Sequence, residues 1–100
     1  MTIKVFKLIN GEEIITKVTS EEGDVIATES PATIVIHDQG NGKAGLGMAP
    51  YMPYIEDKKV TIAKSAVASY GEPDESLSAE YNRLFGSGLV IPQPQKIIGA

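Results

Sequence analysis

A chain of 100 residues without cysteine is one domain's worth of protein, and it can make no disulfide, thiolate metal site or thiol nucleophile. Its net charge of −4 argues against a protein that grips duplex nucleic acid by its phosphates, which carries a basic excess. With 42% hydrophobic and 22% charged residues and no Trp, it reads as an ordinary folded domain whose core rests on Ile, Val and Leu, residues that favour strands.

The opening residues Met1 to Lys7 alternate charged and apolar side chains, unlike the continuous apolar run of a signal peptide or membrane span. No membrane is therefore expected as a partner, and the cytosol is the expected compartment. The pattern predicts a first strand over Ile3 to Ile9 and a second over Glu12 to Thr19. Asn10-Gly11 between them predicts a hairpin with a type I′ turn, since both residues accept positive φ.

A second turn is expected at Glu21 to Asp24, leading into Val25 to Thr28 and then Ala32 to His37. Pro31 cannot donate to a ladder, so it marks an edge, a bulge or a sharp bend; a bend would let one long strand serve both halves of a curled sheet. Residues Asp38 to Gly47 read as a glycine-rich hairpin loop, and Met48 to Ile55, broken by Pro50 and Pro53, as an irregular edge strand. A charged turn at Glu56 to Lys59 precedes a fifth strand, Val60 to Ser69.

One helix is expected from about Pro73 to Phe85. Pro73 suits the first helical position, Asp74 and Glu75 face the positive dipole end, and Leu77, Tyr81, Leu84 and Phe85 make one apolar stripe. The apolar tail, about residues 88–98, is expected to pack on a neighbour. Strands followed by a helix predict a mostly β domain over residues 1–100, a strongly bent five-stranded antiparallel sheet over about 3–70 with one C-terminal helix.

Candidate chemistry is sparse, and no enzyme is expected. Gly40 to Gly45 matches GxGxxG, but no helix or βαβ unit follows to receive a pyrophosphate, so no cofactor is expected. His37 is the only histidine and lacks the partners that a metal site or general base requires. The acidic residues cluster at turns without the oxygen spacing of a calcium loop. Lys58 and Lys59 form either a solvated hairpin tip or, repeated around a ring, a circle of ammonium groups lining a pore. Met48, Tyr51, Met52 and Tyr54 suit a subunit interface, and their rings could also stack on bases.

The block Val5 to Val18, an apolar strand, a glycine turn and a second apolar strand, resembles the first motif of Sm-like (LSm) proteins. Val60-Thr61-Ile62 with Val67 looks like that family's last strand. Within the family, the chain is most similar to Sm-like proteins assigned a cyanophage origin. The resemblance implies a bent five-stranded sheet whose edge strands join copies into a cyclic homo-oligomer, a pentamer to heptamer. It also implies single-stranded RNA as a partner, or a structural ring of a phage or host complex that binds none; a phage protein of this kind would work in the host cytosol. Lys58 and Lys59 are then the expected RNA contacts, and Tyr51, Met52, Tyr54, Val60 and Ile62 the expected subunit contacts. Three features depart from the family pattern, so its uridine pocket is not carried over: the helix follows the sheet instead of preceding it, Asp24 to Pro31 offers no Asn where the family's first RNA-binding motif carries one, and Glu56 to Lys59 occupies the turn where the second motif carries Arg-Gly.

Overall fold

The computed structural model describes residues 2–38, 40, 42 and 44–85. The expectation for the tail at 88–98 falls outside the described residues. Strand β1 spans Thr2–Leu8, β2 Glu13–Glu22, β3 Val25–Asp38, β4 Ala44–Pro50, β5 Lys59–Ala63 and β6 Val67–Gly71; helix α1 spans Glu75–Phe85. The strands form one antiparallel sheet in the order β4-β3-β2-β1-β6, with β5 also paired to β3. This is the mostly β, bent antiparallel sheet with a C-terminal helix that the sequence predicts.

The first hairpin forms where expected, but its turn differs. The Gly11 N–H donates to the Leu8 carbonyl at 2.9 Å and the Leu8 N–H to the Glu12 carbonyl at 2.8 Å, so the loop is Ile9-Asn10-Gly11. Only Gly11 takes positive φ, +94°, which makes a three-residue loop with a left-handed last position and not the type I′ turn. Asn10 spends its side chain otherwise: its Oδ1 accepts the Glu12 N–H at 3.0 Å.

Strand β3 bends at the position Pro31 marks. Ile15 lies opposite Ala32 and Lys17 opposite Glu29, so β3 carries one residue more than β2 across this step, a bulge at Ser30-Pro31. Ser30 adopts φ +52°. The extra residue interrupts the two-residue alternation, so even-numbered side chains face one way before it and the other way after it. Before it, Ile26 belongs to a core with Phe6, Leu8, Ile14, Val18 and Ile62; after it, Ala32 belongs to a second core with Ile15 and Tyr81. One strand therefore serves two cores on opposite faces of the sheet. Its N-terminal half pairs with β5 and its C-terminal half with β4.

Two expectations are corrected along this flank. The glycine-rich loop is shorter than Asp38 to Gly47, because Ala44 to Gly47 pair with Asp38 to Val35 and begin β4. The predicted edge strand over Met48 to Ile55 ends at Pro50, and Tyr51 to Lys58 form an excursion that leaves and rejoins β3 at its bulge. Tyr51 N–H donates to the Pro31 carbonyl at 2.8 Å, and Ser30 N–H donates to the Lys58 carbonyl at 2.7 Å. Lys58, like Ser30, sits in the left-handed region, with φ +62°.

The single strand predicted over Val60 to Ser69 is likewise two. A 3₁₀ turn at Lys64–Ala66 separates β5 on β3 from β6 on β1, so the Val60 to Ile62 stretch and Val67 belong to different strands. The Lys64 N–H donates to the Asp24 carbonyl and the Ile9 N–H to the Ala66 carbonyl, both at 2.8 Å, which fixes this turn against the first two hairpins.

Helix α1 begins two residues later than predicted. Asp74 is its N-cap: Oδ1 accepts the Leu77 N–H at 2.8 Å, and Pro73 lies just outside. Tyr81 is fully buried, with Leu77 and Phe85 packed against the same core, whereas Leu84 is 43% exposed. The Tyr81 hydroxyl reaches the bulge, donating toward the Ser30 carbonyl at 2.7 Å and the Glu29 carbonyl at 3.2 Å. Burial pushes the Tyr81 phenol up to about 12. The helix thus locks the bend from outside the sheet. No helix among the described residues is long and apolar enough to cross a membrane.

Candidate functional site

Both flanks of the sheet are open. Among the described residues β4 and β5 pair only with β3, and β6 pairs only with β1. Each outer edge presents backbone N–H and C=O groups in the arrangement that accepts another strand. Apolar side chains are exposed on or near them: Ile36 and Leu46, opposite each other on β3 and β4, at 65% and 57%, and Tyr70 on β6 at 69%.

The five expected subunit-contact residues separate by burial. Ile62 is 6% exposed and is a core residue, with Val60 and Tyr51 packed beside it. Met52 is half-buried, beside Pro53 and Leu84 in a groove of about 280 Å³ between the excursion and the helix end. Only Tyr54, 80% exposed, projects into solvent. Strand β5, which carries both Val60 and Ile62, can still contribute a backbone edge.

Lys58, the last residue of the excursion, and Lys59, the first of β5, have exposed side chains. Their backbones are committed: the Lys58 carbonyl accepts from Ser30, and the Lys59 N–H donates to Asp57 Oδ1 at 3.1 Å. Lys59 also lies opposite Glu29 in register. The arrangement presents ammonium groups beside the carboxylates of Glu56 and Asp57, a mixed-charge tip.

A second feature was not read from the sequence. Between β1, β6 and the β2–β3 hairpin lies a cleft of about 510 Å³, with Phe6 and Ile26 as floor, Ser69 and Tyr70 as one wall, and Lys4 and Lys64 at the rim. Phe6 and Tyr70 meet edge to face, with centroids 6.3 Å apart at 68°. The Lys4 ammonium lies 5.4 Å from the Tyr70 ring centroid. Lys64 is 3.9 Å from Glu21, and Lys4 has no carboxylate partner among the described residues. These groups come from sequence positions as far apart as 4 and 70, so no local motif announces them; the alternation of Lys4 with Phe6 on one face of β1 was the only available hint. Among the described residues no three His, Asp or Glu side chains gather as a metal site requires.

In comparisons with known proteins, no family model and no curated protein matches the chain.

Proposed function

We propose that this chain is a ring-forming assembly module of Sm-like type, in which β6 of one copy pairs with the β4–β5 flank of the next. The observation that carries this reading is the pair of opposite open edges on a sharply curled sheet. A contact between two different surfaces of identical subunits closes into a ring when the curvature permits. The order of strands, with the last returning to the first after a 3₁₀ turn, supports the same reading. The test is native mass over a dilution series. The expected result is one species at an integral multiple of the 10.7 kDa chain, in the pentamer to heptamer range. A chain that sediments as a monomer at high micromolar concentration would overturn the proposal.

A second reading, single-stranded RNA held on the assembled ring, is favoured by the exposed Lys58 and Lys59 side chains, which a ring would multiply by its copy number. Titration of labelled oligo(U) and oligo(A) at two salt concentrations tests it: binding should weaken as salt rises. No binding at low salt would leave the assembly reading alone.

A further inference from the structure

We infer that Tyr54 of one copy seats in the Lys4–Phe6–Tyr70 cleft of its neighbour, a contact that rests on the ring-forming reading and names its central anchor. Tyr54 stands on the excursion between β4 and β5, hence on the flank proposed to meet a neighbour's β6. The cleft is walled by β6 itself. Joining the flanks head to tail therefore brings this exposed aromatic side chain to the mouth of a cavity large enough to receive it.

The chemistry of the two surfaces matches. An exposed tyrosine gains by moving its ring against other rings while keeping its hydroxyl paired, and the cleft supplies an edge-to-face aromatic pair with Ser69 and Lys4 as polar partners. The tip carries both signs: the exposed carboxylates of Glu56 and Asp57 stand two and three residues from Tyr54, with Lys58 and Lys59 beyond them, so the acids are the charges nearest Tyr54 in sequence. The cleft rim carries Lys4 and Lys64; Glu21 neutralises Lys64 in part, so Lys4 is the cation left to meet Glu56 or Asp57. An aromatic knob with two acids beside it thus answers an aromatic socket whose rim lysine has no carboxylate partner among the described residues, the pattern of a buried anchor within a charged rim.

The absence of any native Trp gives a direct readout. Tyr54→Trp places the chain's one indole at the knob, and its emission, excited selectively over the remaining tyrosines, should shift to shorter wavelength, with loss of iodide quenching, over the concentration range in which the chain assembles. Tyr54→Ala should weaken assembly at least about tenfold while leaving the monomer's far-UV circular dichroism unchanged. Wild-type chain that stays monomeric would overturn both this inference and the ring reading. If the wild-type chain assembles, two results would overturn the anchor alone. One is an assembled Tyr54→Trp variant whose emission stays that of a solvated indole; the other is a Tyr54→Ala variant that assembles with unchanged affinity.

Discussion

Two residues in left-handed conformations, Ser30 and Lys58, face each other across a 2.7 Å hydrogen bond, and the helical Tyr81 bonds the carbonyl of Ser30. A non-glycine residue at positive φ is held there only where its surroundings over-determine it, and here both the N–H and the carbonyl of Ser30 are claimed. Replacing Tyr81 by Phe removes the donor and leaves the half-buried Ser30 carbonyl without it. The expected loss is about 1–2 kcal/mol in chemical denaturation, with little change in the denaturant slope. The phenol also ties stability to pH. Its folded value of about 12 lies above the ordinary 10.0, so the neutral form is favoured in the native state. That contribution is complete below pH 10 and is lost as pH rises from 10 to 12, on the order of 2–3 kcal/mol in total. Stability measured across this window should fall less steeply in Tyr81→Phe than in wild type; parallel curves would refute the linkage.

At the level of elements, Gly11 and Asp74 set the start of β2 and of α1. No atom lies within 4 Å of a Cβ built on Gly11, so Gly11→Ala costs only the backbone strain of φ +94°, about 1–2 kcal/mol by thermal unfolding. Asp74→Ala removes the acceptor for the Leu77 N–H and should cost about 1 kcal/mol, with Asp74→Asn or Asp74→Ser recovering most of it. The hairpin, the bend and the helix were legible in the sequence because each depends on local chemistry: a glycine that turns, a proline that cannot donate, an apolar stripe at helical spacing. The first half of strand β4 was concealed, since Ala44-Gly45-Leu46-Gly47 has poor strand propensity and extends because β3 offers it a partner. The break at Lys64–Ala66 was concealed for the opposite reason: the residues around it would suit one unbroken strand, and only pairing with β1 divides them. The candidate anchor was half legible. Tyr54 was expected at a subunit interface from its sequence context, whereas its proposed socket exists only once β6 returns beside β1.

For the whole molecule, the two flanks matter more than any single side chain. A sheet that curls but leaves both outer strands bonded on one side is exposed to edge pairing, and the excess of acidic residues opposes indiscriminate stacking of copies while permitting a defined contact. If copies join through the proposed contact and the rim charges set it, raising salt should speed their dissociation and the Lys4→Glu variant should assemble more weakly than Lys4→Ala, as read by sedimentation velocity. Equal behaviour of the two variants would assign the contact to backbone pairing and aromatic packing alone.

Because Ser30-Pro31 supplies the one residue by which β3 exceeds β2 between Ile15 and Lys17, a chain lacking Ser30 could keep Ala32 across from Ile15 and Glu29 across from Lys17 with no bulge at that step. Every side chain would then stay on its present side, and both cores would keep their members. What such a chain would lose is the corner itself, together with the N–H and carbonyl that Lys58 and Tyr81 grip. Membership of the cores and the angle between the two halves of the sheet are thus written separately. One residue can reset the angle while the membership of both cores is left as it was.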